Sequence, residues 1–174
     1  MNQIDPDFFR TLAWYNTRVN DAMAAVLEPR AGLCLEPGTT YYGSILGLLS
    51  HISLADITWL RRAGAHDKMD DTAPLDLQYA SVDEQPFGEL VAWRSHRAAL
   101  DAAIERWVGR FGQGDVARTI TYRNSRGREF QQPLWQILLH MFNHQTHHRG
   151  QLAQALDDRG VENDFSNLIW YLRA

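Results

Sequence analysis

A chain of 174 residues, 45% hydrophobic and 22% charged, has an ordinary globular composition and is long enough to bury a sizeable core. Its net charge of −4 argues against a nucleic-acid partner, which would ordinarily need a basic face. The lone Cys34 excludes an internal disulfide and a cysteine-based zinc site, and it suits a small buried or loop position. The first residues lack the basic and apolar regions of a signal peptide. No apolar run approaches the roughly 20 residues that span a bilayer. The expectation is one domain over residues 1–174, cytoplasmic, with no membrane partner.

The first helix is expected from about Asp5 to Glu28. Asp5 suits the cap and Pro6 the first helical position. Phe8, Leu12, Val19, Met23 and Val26 recur at threes and fours on one face, and Pro29 stops the helix. A second helix is predicted from about Tyr41 to Ala63, with Ile45, Leu48, Leu49, Ile52 and Leu60 as its stripe and Gly64 as its C-cap. Residues 65–84 are polar and acidic and read as a connection long enough for a crossover. A third helix spans about Pro86 to Arg110, with Phe87, Trp93 and Trp107 among its core groups. Segments 118–122 and 128–131, on either side of Asn124-Ser125-Arg126-Gly127, predict a small hairpin. The fourth long helix runs from Pro133 to about Leu156 or Asp158, and an apolar tail from Phe165 to Leu172 packs back on the body. Four long helices imply an all-α four-helix bundle with a small β-type insert before the last long helix.

Four of the seven histidines, His140, His144, His147 and His148, fall within nine residues of that fourth helix. Neutral imidazole is the commonest protein ligand for transition metals. Two on one helix four residues apart lie about 40° apart around its axis and form a two-point grip. The apolar line of the helix runs through Leu134, Ile137, Met141, His144, His148, Gln151 and Ala155, so His144 and His148 occupy the bundle seam. Imidazoles there need partners for their nitrogens, and a metal ion supplies them. Spacing leaves His147 and His148 both open as partners of His144; the seam position favours His148. An open catalytic site uses three protein ligands. His51, beside the stripe of the second helix, is the best candidate for the third. His66, in a polar loop, and His96, in a basic run, are expected to be exposed.

There is no His-Glu-x-x-His and no Glu-x-x-His of the di-iron type. Asp56 is either a surface charge or the acceptor of a histidine N–H that fixes its tautomer. Gln151 and Arg149 could meet a substrate amide or anion, and a solvated face suits Arg149 equally well. Asn16 and Asn20 either join helices by hydrogen bonds or line the pocket.

The run His-Met-Phe-Asn-His-Gln-Thr-His-His-Arg-Gly-Gln at 140–151 resembles the fourth-helix signature of the DinB-like family. Residues 44–56, followed by Trp59-Leu60, resemble its second-helix signature, and Tyr15-Asn16 with Asn20 its first-helix pattern. The resemblance implies a down-up-up-down bundle, commonly a homodimer. It implies a divalent ion, zinc or nickel among others, held by His51, His144 and His148. His147, His140, Asp56, Gln151 and Asn16 then fall around the metal or its pocket. Related groups include thiol-dependent enzymes. The expected activity is therefore a metal-dependent S-transferase or a hydrolase acting on a small thiol or electrophile. The alternative is a non-catalytic metal-binding stress-response module or dimeric interaction module.

Overall fold

The computed structural model describes residues 4–65 and 68–173. In chain order these form α1 (Pro6–Leu27), a 3-10 segment (Glu28–Leu35), α2 (Ile45–Arg62), a 3-10 turn (Ala73–Leu75), α3 (Leu90–Gly109), α4 (Gln113–Ala117), β1 (Thr119–Arg123), β2 (Glu129–Pro133), α5 (Leu134–Asp157) and α6 (Leu168–Tyr171).

Local chemistry sets the helix ends. The Asp5 carboxylate accepts from Asp7 N–H, with Pro6 in the first turn. At α2 the Ser44 hydroxyl accepts from Gly47 N–H at 3.0 Å. α2 thus starts at Ile45 and not at Tyr41, because Gly43 has φ +83° and Ser44 is extended, which breaks any helix through 41–44. α2 ends in a Schellman turn: Gly64 has φ +69°, its N–H bonds Arg61 O, and Ala65 N–H bonds Leu60 O. α3 starts at Leu90, four residues beyond the expected Pro86, because Glu89 is still extended. The chain runs along the surface there with Phe87 turned in against His96 before it turns into helix. β1 and β2 pair antiparallel with Tyr122 opposite Phe130. Asn124 Oδ1 accepts from the N–H groups of Arg126 and Arg128 and so holds the turn.

Contacts between helices fix the topology. α1 and α3 are antiparallel, because Asn16 and Asn20 meet Asp101 while Arg10 meets Phe111 and Glu28 meets Arg94. α2 and α3 are parallel, with Ser53 on Trp93 and Asp56 on Arg97. α2 and α5 are antiparallel, with His51 on His148 and Trp59 on His140. The order is down-up-up-down, as the resemblance implies.

The bundle core is two apolar clusters, one around Phe9, Leu54, Leu100, Trp107 and Met141, the other around Val19, Met23, Ile52, Trp93 and Leu152. Between them lies a buried polar layer to which every long helix contributes. Arg97 donates to Asp56 at 2.7 Å and to Asp101. Asn16 and Asn20 donate to Asp101 at 3.2 and 2.8 Å, and Gln145 donates to Asp56. Sliding any helix by one turn would strand charges in a low-dielectric interior. The layer therefore sets the axial register of the bundle. Asp56 is no surface charge and no partner of a histidine: it is 1% exposed and its partners are Arg97 and Gln145. Burial pushes its carboxyl up to about 6, against the attraction of Arg97. For Arg97, burial opposes the charge, but Asp101 and Asp56 together hold its pKa above the ordinary value.

Cys34 is fully buried in the 3-10 segment. The tail packs back in part: Phe165 is buried and its carbonyl accepts from Tyr15 Oη, while Trp170 and Leu172 stay exposed. Among the described residues no helix is long and apolar enough to cross a membrane.

Candidate metal centre

His51 from α2 and His144 and His148 from α5 come together, with candidate ligand atoms all within 4.8 Å of one another. The antiparallel α2–α5 pair produces this. One turn of α5 presents His144 and His148 on the face that α2 covers, and the Gln145–Asp56 bond of the polar layer, next to His144 on α5, locks the offset. His144 Nε2 lies 3.3 Å from His51 Nε2 and 2.9 Å from His148 Nε2. A tetrahedral ion with Zn–N bonds of about 2.0–2.1 Å separates its nitrogen ligands by about 3.3 Å, and right-angle coordination by about 2.9 Å. The two spacings at His144 Nε2 are those a transition metal imposes on neighbouring nitrogen ligands.

The outer nitrogens of His51 and His148 support the same assignment. His51 Nδ1 lies 3.0 Å from Val82 O, which can only accept, so Nδ1 carries the proton and Nε2 the lone pair. His148 Nδ1 donates to Gln151 Oε1 at 2.7 Å, with the same result. Two lone pairs thus face His144 Nε2, and a single imidazole N–H cannot serve both well. A cation serves all three. His144 Nδ1 is sealed from solvent with no hydrogen-bond partner among the described residues. All three rings are kept neutral. Burial, then His148 and His51, push the His144 pKa down to about 3. Burial pushes His148 down to about 4 and also lowers His51, although Asp83 stands 3.6 Å from its Nδ1.

Tyr42 roofs the cluster. Its ring stacks on His51 at 4.1 Å and meets His148 edge-on at 5.6 Å. It is held there through its backbone: Tyr42 O accepts from Gln85 Nε2 at 2.9 Å and sits over Gly47. A Cβ on Gly47 would lie 2.1 Å from that carbonyl. Alanine would raise helix propensity by about 1 kcal/mol, but the obstacle is backbone. Gly47→Ala is therefore expected to cost a net 1–3 kcal/mol, roughly the range for overpacking, and to lift Tyr42 off His51. Thermal unfolding and the near-ultraviolet tyrosine signal would check it; an unchanged midpoint would refute it.

On the other side of the histidines opens a cavity of about 670 Å³, walled by Trp59, Tyr79, His140, Arg62 and Asp83. The α2–α3 connection supplies much of the wall. Tyr79 Oη bonds Thr58 Oγ1 at 2.7 Å, and Arg61 is tied to the carbonyls of Leu75 and Leu77. The hairpin adds Ser125 to the wall, and its Tyr122 packs behind against Trp59 at 5.5 Å, with Arg62 over the Trp59 ring at 4.7 Å.

The other candidate residues fall as follows. His140 packs edge-on against Trp59 at 4.7 Å and lines the cavity, and His147 is exposed, with its ring 4.8 Å from His148. Gln151 is exposed at the backside of His148. Asn16 belongs to the buried layer on α1, away from the histidines, and so does Asn20. Arg149 is not on a solvated face: it is 5% exposed and bonded to Asn16 Oδ1 and Thr146 Oγ1. His96 is half-buried, its Nε2 on Pro74 O, where exposure was expected. His66 lies outside the described residues.

Sequence reasoning missed Tyr42, Val82 and the Arg97–Asp101 pair. Val82 acts through a backbone carbonyl and leaves no sequence trace. The pair did leave one: Arg97 and Asp101 share a helix stripe with Trp93, Leu100 and Ile104.

Gln151→Ala is expected to weaken metal binding about 10- to 100-fold, the usual cost of losing an outer partner, without altering the fold. A competition titration with a chromophoric chelator would measure it, and an affinity equal to wild type would remove Gln151 from the site.

The DinB family model matches residues 1–174. No curated protein matches the chain in sequence. A crystal structure of a DinB-like protein from Bacillus cereus ATCC 10987 is similar in fold, with a TM-score of 0.66, 18% identity, and coverage of 94% of this chain and 99% of that one. A family match over the whole length, on a down-up-up-down bundle that gathers histidines from α2 and α5, has one conclusion: the chain belongs to the DinB family.

Proposed function

We propose that the chain is a metal-dependent enzyme in which His51, His144 and His148 hold a divalent ion, zinc or nickel, through their Nε2 atoms. The observation that carries this reading is the convergence of those three atoms at 2.9–3.3 Å around His144, with the proton of His51 tied to Val82 and that of His148 to Gln151. Bound there, a divalent ion supplies Lewis acidity and lowers the pKa of a water or thiol. The chain's own residues supply the surroundings. Tyr42 excludes water from one side, and the cavity beside His144 admits a small molecule on the other. Trp59 and Tyr79 offer it apolar surface, and Arg62 a cation. His140, kept neutral by burial and then by Arg62, stands on the cavity wall as a base for an incoming nucleophile.

Family resemblance favours thiol S-transfer over hydrolysis. The same reading makes the chain a cytoplasmic homodimer, which light scattering would test as a mass of two chains. The deciding experiment incubates the metal-loaded protein with a panel of low-molecular-weight thiols and electrophiles. Turnover is expected, and its loss in both His51→Ala and His144→Ala. Turnover unchanged in both variants would sink the reading. Stoichiometric metal without turnover on any thiol or hydrolytic substrate would favour a binding module instead.

A further inference from the structure

The Arg149-Gly150 step of the helix-four motif takes no part in the histidine cluster. On α5 these residues lie on the flank opposite His144, facing α1 and the C-terminal tail. A second cavity of about 530 Å³ opens there, sharing no wall with the first among the described residues. Its lining is mainly apolar, with Leu12, Tyr15, Phe142, Phe165 and Leu168 around the Arg149 guanidinium.

Two observations point to a ligand. First, Arg149 is a buried cation with no carboxylate within ion-pairing distance among the described residues. Its guanidinium bonds only neutral oxygens, Asn16 Oδ1 at 3.0 Å and Thr146 Oγ1 at 2.8 Å, and lies 5.1 Å from the Tyr15 ring centroid. Arg97, in the same layer, has two carboxylates; they reach Arg149 only at longer range. A buried guanidinium is a fork shaped for a carboxylate. Second, Gly150 stands mid-helix, where glycine costs about 1 kcal/mol relative to alanine. A Cβ there would meet nothing within 4 Å among the described residues. Packing within the chain does not require the glycine, and what it leaves open is the wall of this cavity.

We infer that the α1–α5 cavity binds a small carboxylate with an apolar body, its carboxylate on Arg149 and its body along Gly150, Tyr15 and Phe142. Asp157 and Asp164 also line it. They are occupied in part, Asp157 by Asn163 and Asp164 by Ser166. Their charges select a monocarboxylate and reject a second anionic group.

The site is independent of the metal centre, so the test is run without one. Full-length His144→Ala protein, treated with chelator, is titrated with 4-phenylbutyrate by calorimetry. Saturable binding is expected, with little for 4-phenylbutyramide. Arg149→Gln in the same background is expected to weaken binding about 10- to 100-fold, as for a lost charge-assisted hydrogen bond. Gly150→Leu is expected to fold, since it adds a better helix former into open space, and to abolish binding by filling the cavity. If Arg149→Gln does not fold, Gly150→Leu alone decides. No binding of 4-phenylbutyrate, or equal binding by the amide, or undiminished binding in folded Gly150→Leu, would each overturn the inference.

Discussion

Alanine at His144 is expected to abolish divalent-metal binding by the folded chain. His144 Nε2 is the atom shared by both short contacts of the cluster, so its loss leaves His51 and His148 as a two-point site on different helices. The drop in affinity should exceed the roughly 10- to 100-fold expected for Gln151→Ala, because a ligand is lost and not its support. His147→Ala, on the exposed side of α5, should bind as wild type. Elemental analysis after equilibration with zinc or nickel separates these outcomes; stoichiometric metal in His144→Ala would end the assignment.

The same residue sets a pH dependence in the metal-free protein. The folded-state values of His144 and His148, about 3 and about 4, lie below the ordinary 6.5. In that interval the unfolded chain binds more protons at these two histidines than the folded one, so their contribution to stability is full above about pH 6.5 and falls as pH drops toward 4. Asp56 opposes this in part, because its raised carboxyl takes up a proton in the folded state. His144→Ala should flatten the slope, and denaturant midpoints across pH 4–7 would register it.

Replacing Arg97 with leucine is expected to cost about 3–5 kcal/mol, the range for breaking a buried ion pair by removing one partner. Arg97 is 2% exposed, and it is the cation that separates Asp56 from Asp101. Leucine leaves both carboxylates buried with only amide donors. Restoring neutrality with Asp56→Asn and Asp101→Asn in the same chain should recover part of the loss. Urea unfolding would show a lower midpoint at unchanged slope. A cost below about 1 kcal/mol would mean that the layer is not what holds the helices in register.

Much of the fold was legible because helix periodicity and caps are local. The Phe8-to-Val26 stripe, the Asp5-Pro6 start and the Gly64 stop each depend on residues within a few positions. The errors came where a distant contact overrides local propensity. Tyr41–Ser44 and Pro86–Glu89 read as helix, yet the first is turned to set Tyr42 over His51 and the second is drawn out to bury Phe87. A surface charge stayed open for Asp56 and Arg149 because the groups that hold them inside, Arg97 for Asp56 and the neutral amide of Asn16 for Arg149, lie on other helices.

The sequence by itself determined the element types, the family resemblance and the candidate histidines, since a His-x3-His on an apolar seam is a statement about one helix. Only the tertiary structure decided that His51 meets that seam, that Val82 and Gln151 hold its protons outward, and that Arg149 faces a different cavity. Those facts depend on the relative axial position of α2, α5 and α1. That position is set by a buried charge layer whose members are scattered over more than a hundred residues.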